Sequence, residues 1–201
     1  MKNIFLNIHG FGSSGSNSKA AALTENFPNH ELISPDLPAD PLECLEIIDA
    51  IVMENKDRPL VLQGSSMGGL YSLVMHFRHG VPALLINPCL TPVSLIRSRL
   101  GEVYEFSNGE NIIISEEHVT PFEQVEKELE KGIAEKGVLN GEVLALIGEQ
   151  DELLDQKTIK SILKKAGAGI ISYNTDHRFE GFDQATRHDI KVRDFLLTIR
   201  D

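Results

Sequence analysis

Six short apolar runs punctuate the chain: IFLNI (4–8), ELIS (31–34), PLVLQ (59–63), ALLIN (83–87), VLALIG (143–148) and GIISY (169–173). Between them lie stretches with helical periodicity. SKAAALTENF (18–27) follows the first run. In LECLEIIDAIVME, Leu42, Leu45, Ile48, Ile51 and Val52 share one face. MGGLYSLVMHFRHG follows the third run and can end at Gly80, a helix-terminating residue. QKTIKSILKKAG precedes the sixth run, and DQATRHDIKVRDFLLTIR closes the chain as one helix. Unalternated apolar strands interleaved with helices predict a parallel sheet covered on both faces, with right-handed crossovers. The expected fold class is therefore α/β, a doubly wound, mainly parallel six-stranded sheet in a single domain, 1–201.

One stretch interrupts the alternation. About fifty residues separate the fourth and fifth runs, more than a crossover needs. Asn108-Gly109 stands between two β-prone arms, the pairing that closes a tight hairpin. PFEQVEKELEKGIAEKG behind it reads as a helix with a charged outer face. A hairpin-plus-helix insertion is expected over about 88–140.

Composition narrows the function classes. The net charge is −11, and no run of Lys or Arg offsets it, which argues against a nucleic-acid or anionic-membrane partner. Asn3, Asn7 and His9 break the apolar N-terminus before a signal core forms, and no run is long enough to span a bilayer. Cys44 and Cys89 have neither disulfide-framework nor zinc-site spacing. They read as core fillers in a reducing, cytoplasmic compartment.

The chemistry gathers around Gly64-Ser65-Ser66-Met67-Gly68, a G-x-S-x-G stretch lying after a strand and before a helix. A strand turning straight into a helix brings the two flanking glycines close and lifts Ser66 above the strand ends. Serine needs a base. Of seven histidines, His76 and His79 lie far along the helix after Ser66. His30 precedes a strand, His118 falls in the insertion and His188 in the last helix. His177 alone follows the last strand at its C-terminal end, where doubly wound sheets do their chemistry. The acid is expected from a strand end between the two. Asp151 fits; Asp155 reads as a helix N-cap, and Asp176 is too close in sequence to reach the far ring nitrogen. For an oxyanion, the donors would be the amides of Met67 and of Phe11 in the glycine-rich loop after the first strand. Gly10, Ser65 and Leu90 are expected at the substrate pocket, with Phe11, Met67, Val93, Leu95 and Ile96 shaping it.

HGFGSS, GSSMGG, INPCLTP, GEQDELLD and DHRFEGF together resemble the YqiA/YcfP-like esterases, a small branch of the α/β-hydrolase superfamily. The likeness runs nearly end to end, through Asn87-Pro88 and the His177–Phe182 motif. It implies an α/β-hydrolase fold lacking the N-terminal hairpin, and a cytoplasmic serine esterase acting on a small-molecule, short-acyl ester with no metal and no cofactor. A thioesterase or amidase would use the same residues. A ligand-binding protein that keeps the fold without catalysis is the reading from another class.

Overall fold

The computed structural model describes residues 2–137 and 141–198. Its sheet has six strands, all pairs parallel. They are β1 (Ile4–Ile8), β2 (Glu31–Ile33), β3 (Leu60–Ser65), β4 (Ala83–Ile86), β7 (Val143–Gly148) and β8 (Gly169–Tyr173), in the order β2-β1-β3-β4-β7-β8. Every C-terminal end therefore opens on one edge. The strand order reverses between β1 and β3, which places the loops after those two strands side by side.

Strand alternation divides the apolar residues between two layers. Ile4, Leu6 and Ile8 of β1 face one core with helices α2 (Pro41–Glu54), α3 (Met67–His79) and α5 (Glu116–Glu135). Phe5 faces the other, with Leu23 of α1 (Ser18–Asn26), Phe182 of α7 (Phe182–His188), and Val192 and Phe195 of α8 (Ile190–Leu197). Full burial of such a side chain stabilises the fold by about 1.5–3 kcal/mol, so the paired layers hold the sheet's upper edge in place. Helix α3 is the most enclosed element, buried from Met67 through Phe77, and Gly80 ends it in the left-handed conformation at φ 71°. Cys44 and Cys89 are both buried, and burial pushes each thiol up to about 12.

Between β4 and β7 stand α4 (Pro92–Ser98), the antiparallel pair β5 (Val103–Glu105) and β6 (Asn111–Ile113), and α5. The hairpin turns through Asn108 and Gly109, with Gly109 at φ 86°. The expected end of the insertion, 138–140, lies outside the described residues, as do 199 and 200 of the closing helix.

Three local readings change. Helix α5 starts at Glu116, five residues before Pro121. Its N-cap is Ser115, whose backbone N–H donates to His118 Nδ1 at 3.1 Å, a capping box with histidine in the place of the usual glutamate. The closing helix is two helices. Asp189 ends α7 and its carboxylate caps α8, accepting from Lys191 N–H at 2.9 Å. Helix α4 appears where only an apolar run was read; Thr91-Pro92 is its start signal.

The buried face of α5 runs Val119, Phe122, Val125, Leu129 and Gly132. Gly132 lies against α3, where an added methyl would come within 2.5 Å of the Phe77 ring. Gly132→Ala should therefore destabilise the fold by about 1–3 kcal/mol, lowering the thermal midpoint by roughly 2–4 °C per kcal/mol. An unchanged midpoint in a melting curve would place α5 away from α3.

Candidate active site

Strand β3 passes into α3 at Ser66, whose backbone sits at φ 54°, ψ −118°. A residue with a β-carbon pays about 1–3 kcal/mol to stay there. Ser66 occupies the N-cap position of α3, where serine ordinarily folds its hydroxyl back onto the first amides, yet it makes no such bond. The hydroxyl points out to His177 instead, with Oγ 3.2 Å from Nε2.

The glycines explain how the turn fits. A methyl on Gly64 would stand 2.1 Å from the Gly68 carbonyl oxygen, and one on Gly68 2.0 Å from the Ile8 carbonyl oxygen. Both contacts are with backbone, which has nowhere to retreat. At Gly10 a methyl would approach Ser66 Cβ to 3.2 Å, so the loop after β1 lies directly beside the serine.

His177 lies in the loop after β8. Its Nδ1–H donates to Asp151 Oδ2 at 2.8 Å. A carboxylate only accepts, so the proton sits on Nδ1 and leaves Nε2 free to accept the Ser66 hydroxyl. The Asp151 side chain is completely enclosed. Burial pushes its carboxyl up, but the hydrogen bond and charge of His177, with the Leu153 and Leu154 amides, outweigh that and hold it below the ordinary carboxylate range. Those amides donate to Oδ1 at 2.9 and 3.0 Å, and Gln156 Nε2 donates to Oδ2 at 2.8 Å. Asp155 caps α6 (Gln156–Ala166), as its position suggested, and Asp176 accepts from Phe179 N–H.

The loop after β1 is pinned by His9, a residue to which the sequence reading gave no task. His9 is buried; Nδ1–H donates to the Gly10 carbonyl at 2.8 Å and Nε2 accepts Leu37 N–H at 2.9 Å. The Gly10 carbonyl also accepts from Ser13 N–H. In a trans peptide the N–H opposes the C=O, so the Phe11 amide faces away from those bonds. Among the described residues neither Phe11 N–H nor Met67 N–H donates to a protein acceptor.

A cleft of about 920 Å³ opens over Ser66 and His177. Gly10, Ser65, Phe11, Met67, Leu95 and Ile96 line it. Leu90 and Val93 do not. Cys89 N–H bonds the Ser66 carbonyl at 2.9 Å, drawing the chain against the start of α3, and Leu90 is buried in the core at 1% exposure. Glu152, which sequence reasoning passed over, accepts His177 N–H at 3.1 Å. Among the described residues no group of three or more His, Cys, Asp or Glu is arranged to hold a metal ion, and no helix is long and apolar enough to cross a membrane.

Against models of known families, residues 4–194 match the uncharacterised protein family UPF0227. The chain belongs to UPF0227. Solved structures show the fold that this UPF0227 protein shares. Est1E from Butyrivibrio proteoclasticus superposes with a TM-score of 0.70 at 16% identity, covering 94% of this chain and 86% of that one. The Paleococcus ferrophilus monoacylglycerol lipase gives 0.68 at 17% identity, covering 94% of each chain. A putative hydrolase from Agrobacterium vitis S4 gives 0.69 at 16% identity, covering 97% and 88%. The fold of the UPF0227 chain is that of the α/β-hydrolases.

Burial of the His9 ring should make this fold sensitive to acid. Burial lowers its pKa, against smaller opposing effects of the Gly10 carbonyl and the Asp36 charge. A histidine whose folded value is depressed contributes stability that is present above its ordinary value and lost as pH falls. Thermal midpoints should drop on acidification below neutrality, and less steeply in His9→Asn, which cannot take up that proton. Parallel curves for the two proteins would remove His9 as a source of the acid sensitivity.

Proposed function

We propose that the protein hydrolyses carboxylic esters through an acyl-enzyme on Ser66. The observation that carries this is the unbroken line from Ser66 Oγ to His177 Nε2 at 3.2 Å, and from His177 Nδ1 to Asp151 Oδ2 at 2.8 Å. Its strained serine, which leaves a helix N-terminus uncapped, supports the same reading. A hydroxyl kept out of its own cap at a cost in stability has a use elsewhere.

Attack by Oγ on the ester carbonyl forms the O–C bond while Nε2 takes the hydroxyl proton. The carbonyl oxygen becomes an oxyanion, held by the Phe11 and Met67 amides. The imidazolium is balanced by Asp151, which stays ionised because its own pKa is depressed. Collapse breaks the bond to the leaving oxygen, which receives the proton from Nε2 and departs as the alcohol. Water then repeats the sequence: Nε2 takes its proton, the acid leaves, and the proton returns to Ser66.

The proposed substrate carries a short acyl group, seated on the apolar side of the cleft. Phe11, Met67, Leu95, Ile96, Tyr104 and Ile114 supply an apolar side, and the Tyr104 hydroxyl is bonded to the Phe11 carbonyl at 3.3 Å. Asn17, Ser18, Lys19, Arg178 and Glu180 supply a polar side next to His177. General acid catalysis puts the leaving group beside His177, so the apolar side receives the acyl chain. Est1E, similar in fold, holds ferulic acid; a carboxylic acid is likewise the product expected here. A thioester or an amide would engage the same groups. The unpaired, buried thiols suit a cytoplasmic setting.

Ser66→Ala should abolish covalent labelling by a fluorophosphonate probe, read by intact mass; a label that persists would take Ser66 out of the role. Asp151→Asn keeps the shape but misdirects the His177 tautomer, and kcat for p-nitrophenyl esters should fall by roughly 10²–10⁴. A loss under threefold would show that Asp151 does not support the base. In an acyl-length series, kcat/KM should peak at short chains, and a maximum at long chains would refute the assigned acyl wall.

A further inference from the structure

The segment between β4 and α4 makes no contact with a bound molecule in the reading above, yet it bonds both the serine and the backbone of the base. On one side it grips the serine: Ser66 N–H donates to the Ile86 carbonyl at 2.9 Å, and Cys89 N–H donates to the Ser66 carbonyl at 2.9 Å. On the other side stands Asn87, 1% exposed, with φ 40°. Its Nδ2 donates to the Asp176 carbonyl at 3.0 Å and to the His177 carbonyl at 3.1 Å. Its Oδ1 accepts Gly148 N–H at 2.6 Å, at the end of the strand that leads to Asp151.

We infer that Asn87 is the positioning residue that sets the distance between Ser66 and His177, by tying the segment that grips the serine to the backbone of the base. This rests on the triad reading of the proposed function. The side chain suits the task on three counts. Asparagine enters the left-handed region at lower cost than other residues with a β-carbon. One amide supplies both the acceptor that Gly148 needs and the two donors that residues 176 and 177 need. Gly148 leaves room for the crossing, since a methyl there would lie 2.6 Å from the Thr175 carbonyl oxygen and 3.1 Å from Asn87 Nδ2. An aspartate of the same shape would set a carboxylate oxygen against two carbonyl oxygens.

Other bonds join the acid and base loops: Glu149 N–H to the Tyr173 carbonyl, Gln150 N–H to the Thr175 carbonyl and His177 N–H to Glu152. None of them reaches the Ser66 segment. Losing Asn87 should therefore leave the His177–Asp151 pair together and let both drift from the serine. A misplacement of about 1 Å in a reacting group costs on the order of 10²-fold in rate.

The test compares wild type with Asn87→Asp and Asn87→Gly, the second of which accepts the backbone conformation but has no amide. With a p-nitrophenyl ester, kcat should fall roughly 10- to 100-fold while KM stays within about twofold. The acid limb of the pH–rate profile should move, and so should the titration of the His177 ring followed by NMR. A residue that only stabilises the fold would lower the melting midpoint and leave kcat per folded molecule, the acid limb and the ring titration at their wild-type values; that result overturns the inference. If wild type turns over no ester, the proposed function fails, but the ring titration still judges Asn87 without turnover. Should both variants fail to fold, the wild-type side-chain amide decides: its protons should exchange slowly, and rapid exchange overturns the inference.

Discussion

The geometry of the candidate site depends on holding Ser66 in a strained turn at positive φ. A backbone at φ 54° is unfavourable by about 1–3 kcal/mol, and the protein surrounds it with elements that cannot yield. Behind it lies β3 in the middle of the sheet, and ahead lies α3, buried on almost every side. Gly64 and Gly68 let β3, α3 and the end of β1 close to backbone contact. The apolar burial in the two layers exceeds the strain many times over, so the turn is imposed by the core and not by its own preference. The cost falls at one residue, and the hydroxyl that results is rigidly aimed.

How much of this the sequence discloses follows from the range of each interaction. The six strands and the serine turn are legible because they rest on local patterns: apolar runs, a helical stripe, and glycines two residues on either side of Ser66. Asp151 could be separated from Asp155 because an N-cap has its own signature. Elimination among strand ends points to His177, which the fold places 3.2 Å from Ser66 Oγ. Leu90 was misplaced because an apolar residue beside a cleft carries no mark of which way it faces, and the Cys89–Ser66 bond that settles it is not encoded nearby. The early start of α5 was hidden by Pro121, which reads as a first helical residue, and by His118 standing where a capping box usually has a carboxylate. Asn87 is legible only as half of an Asn-Pro pair, since its side-chain partners lie 61, 89 and 90 residues away in the chain.

The insertion is bound to the site more closely than a peripheral addition would be. Phe11 makes edge-on ring contacts with Tyr104, Phe106 and Phe122, at centroid distances of 5.0, 5.1 and 6.2 Å. Ser107 N–H donates to the Gly12 carbonyl at 2.8 Å. Gly12 has no room for a methyl, which would lie 2.3 Å from the Tyr104 ring, and its φ of 71° also favours glycine. Aromatic pairs of this kind add about 0.5–1.5 kcal/mol each beyond their buried area. The hairpin and the loop after β1 thus form one packed unit.

That unit makes one wall of the cleft, through Phe11, Gly12 and Tyr104. A displacement of the hairpin would therefore be passed on to Phe11 and its backbone, so the two behave as a single mechanical element. The facing wall of the cleft comes from the start of α1 and the chain after β8, through Lys19, His177, Arg178 and Glu180.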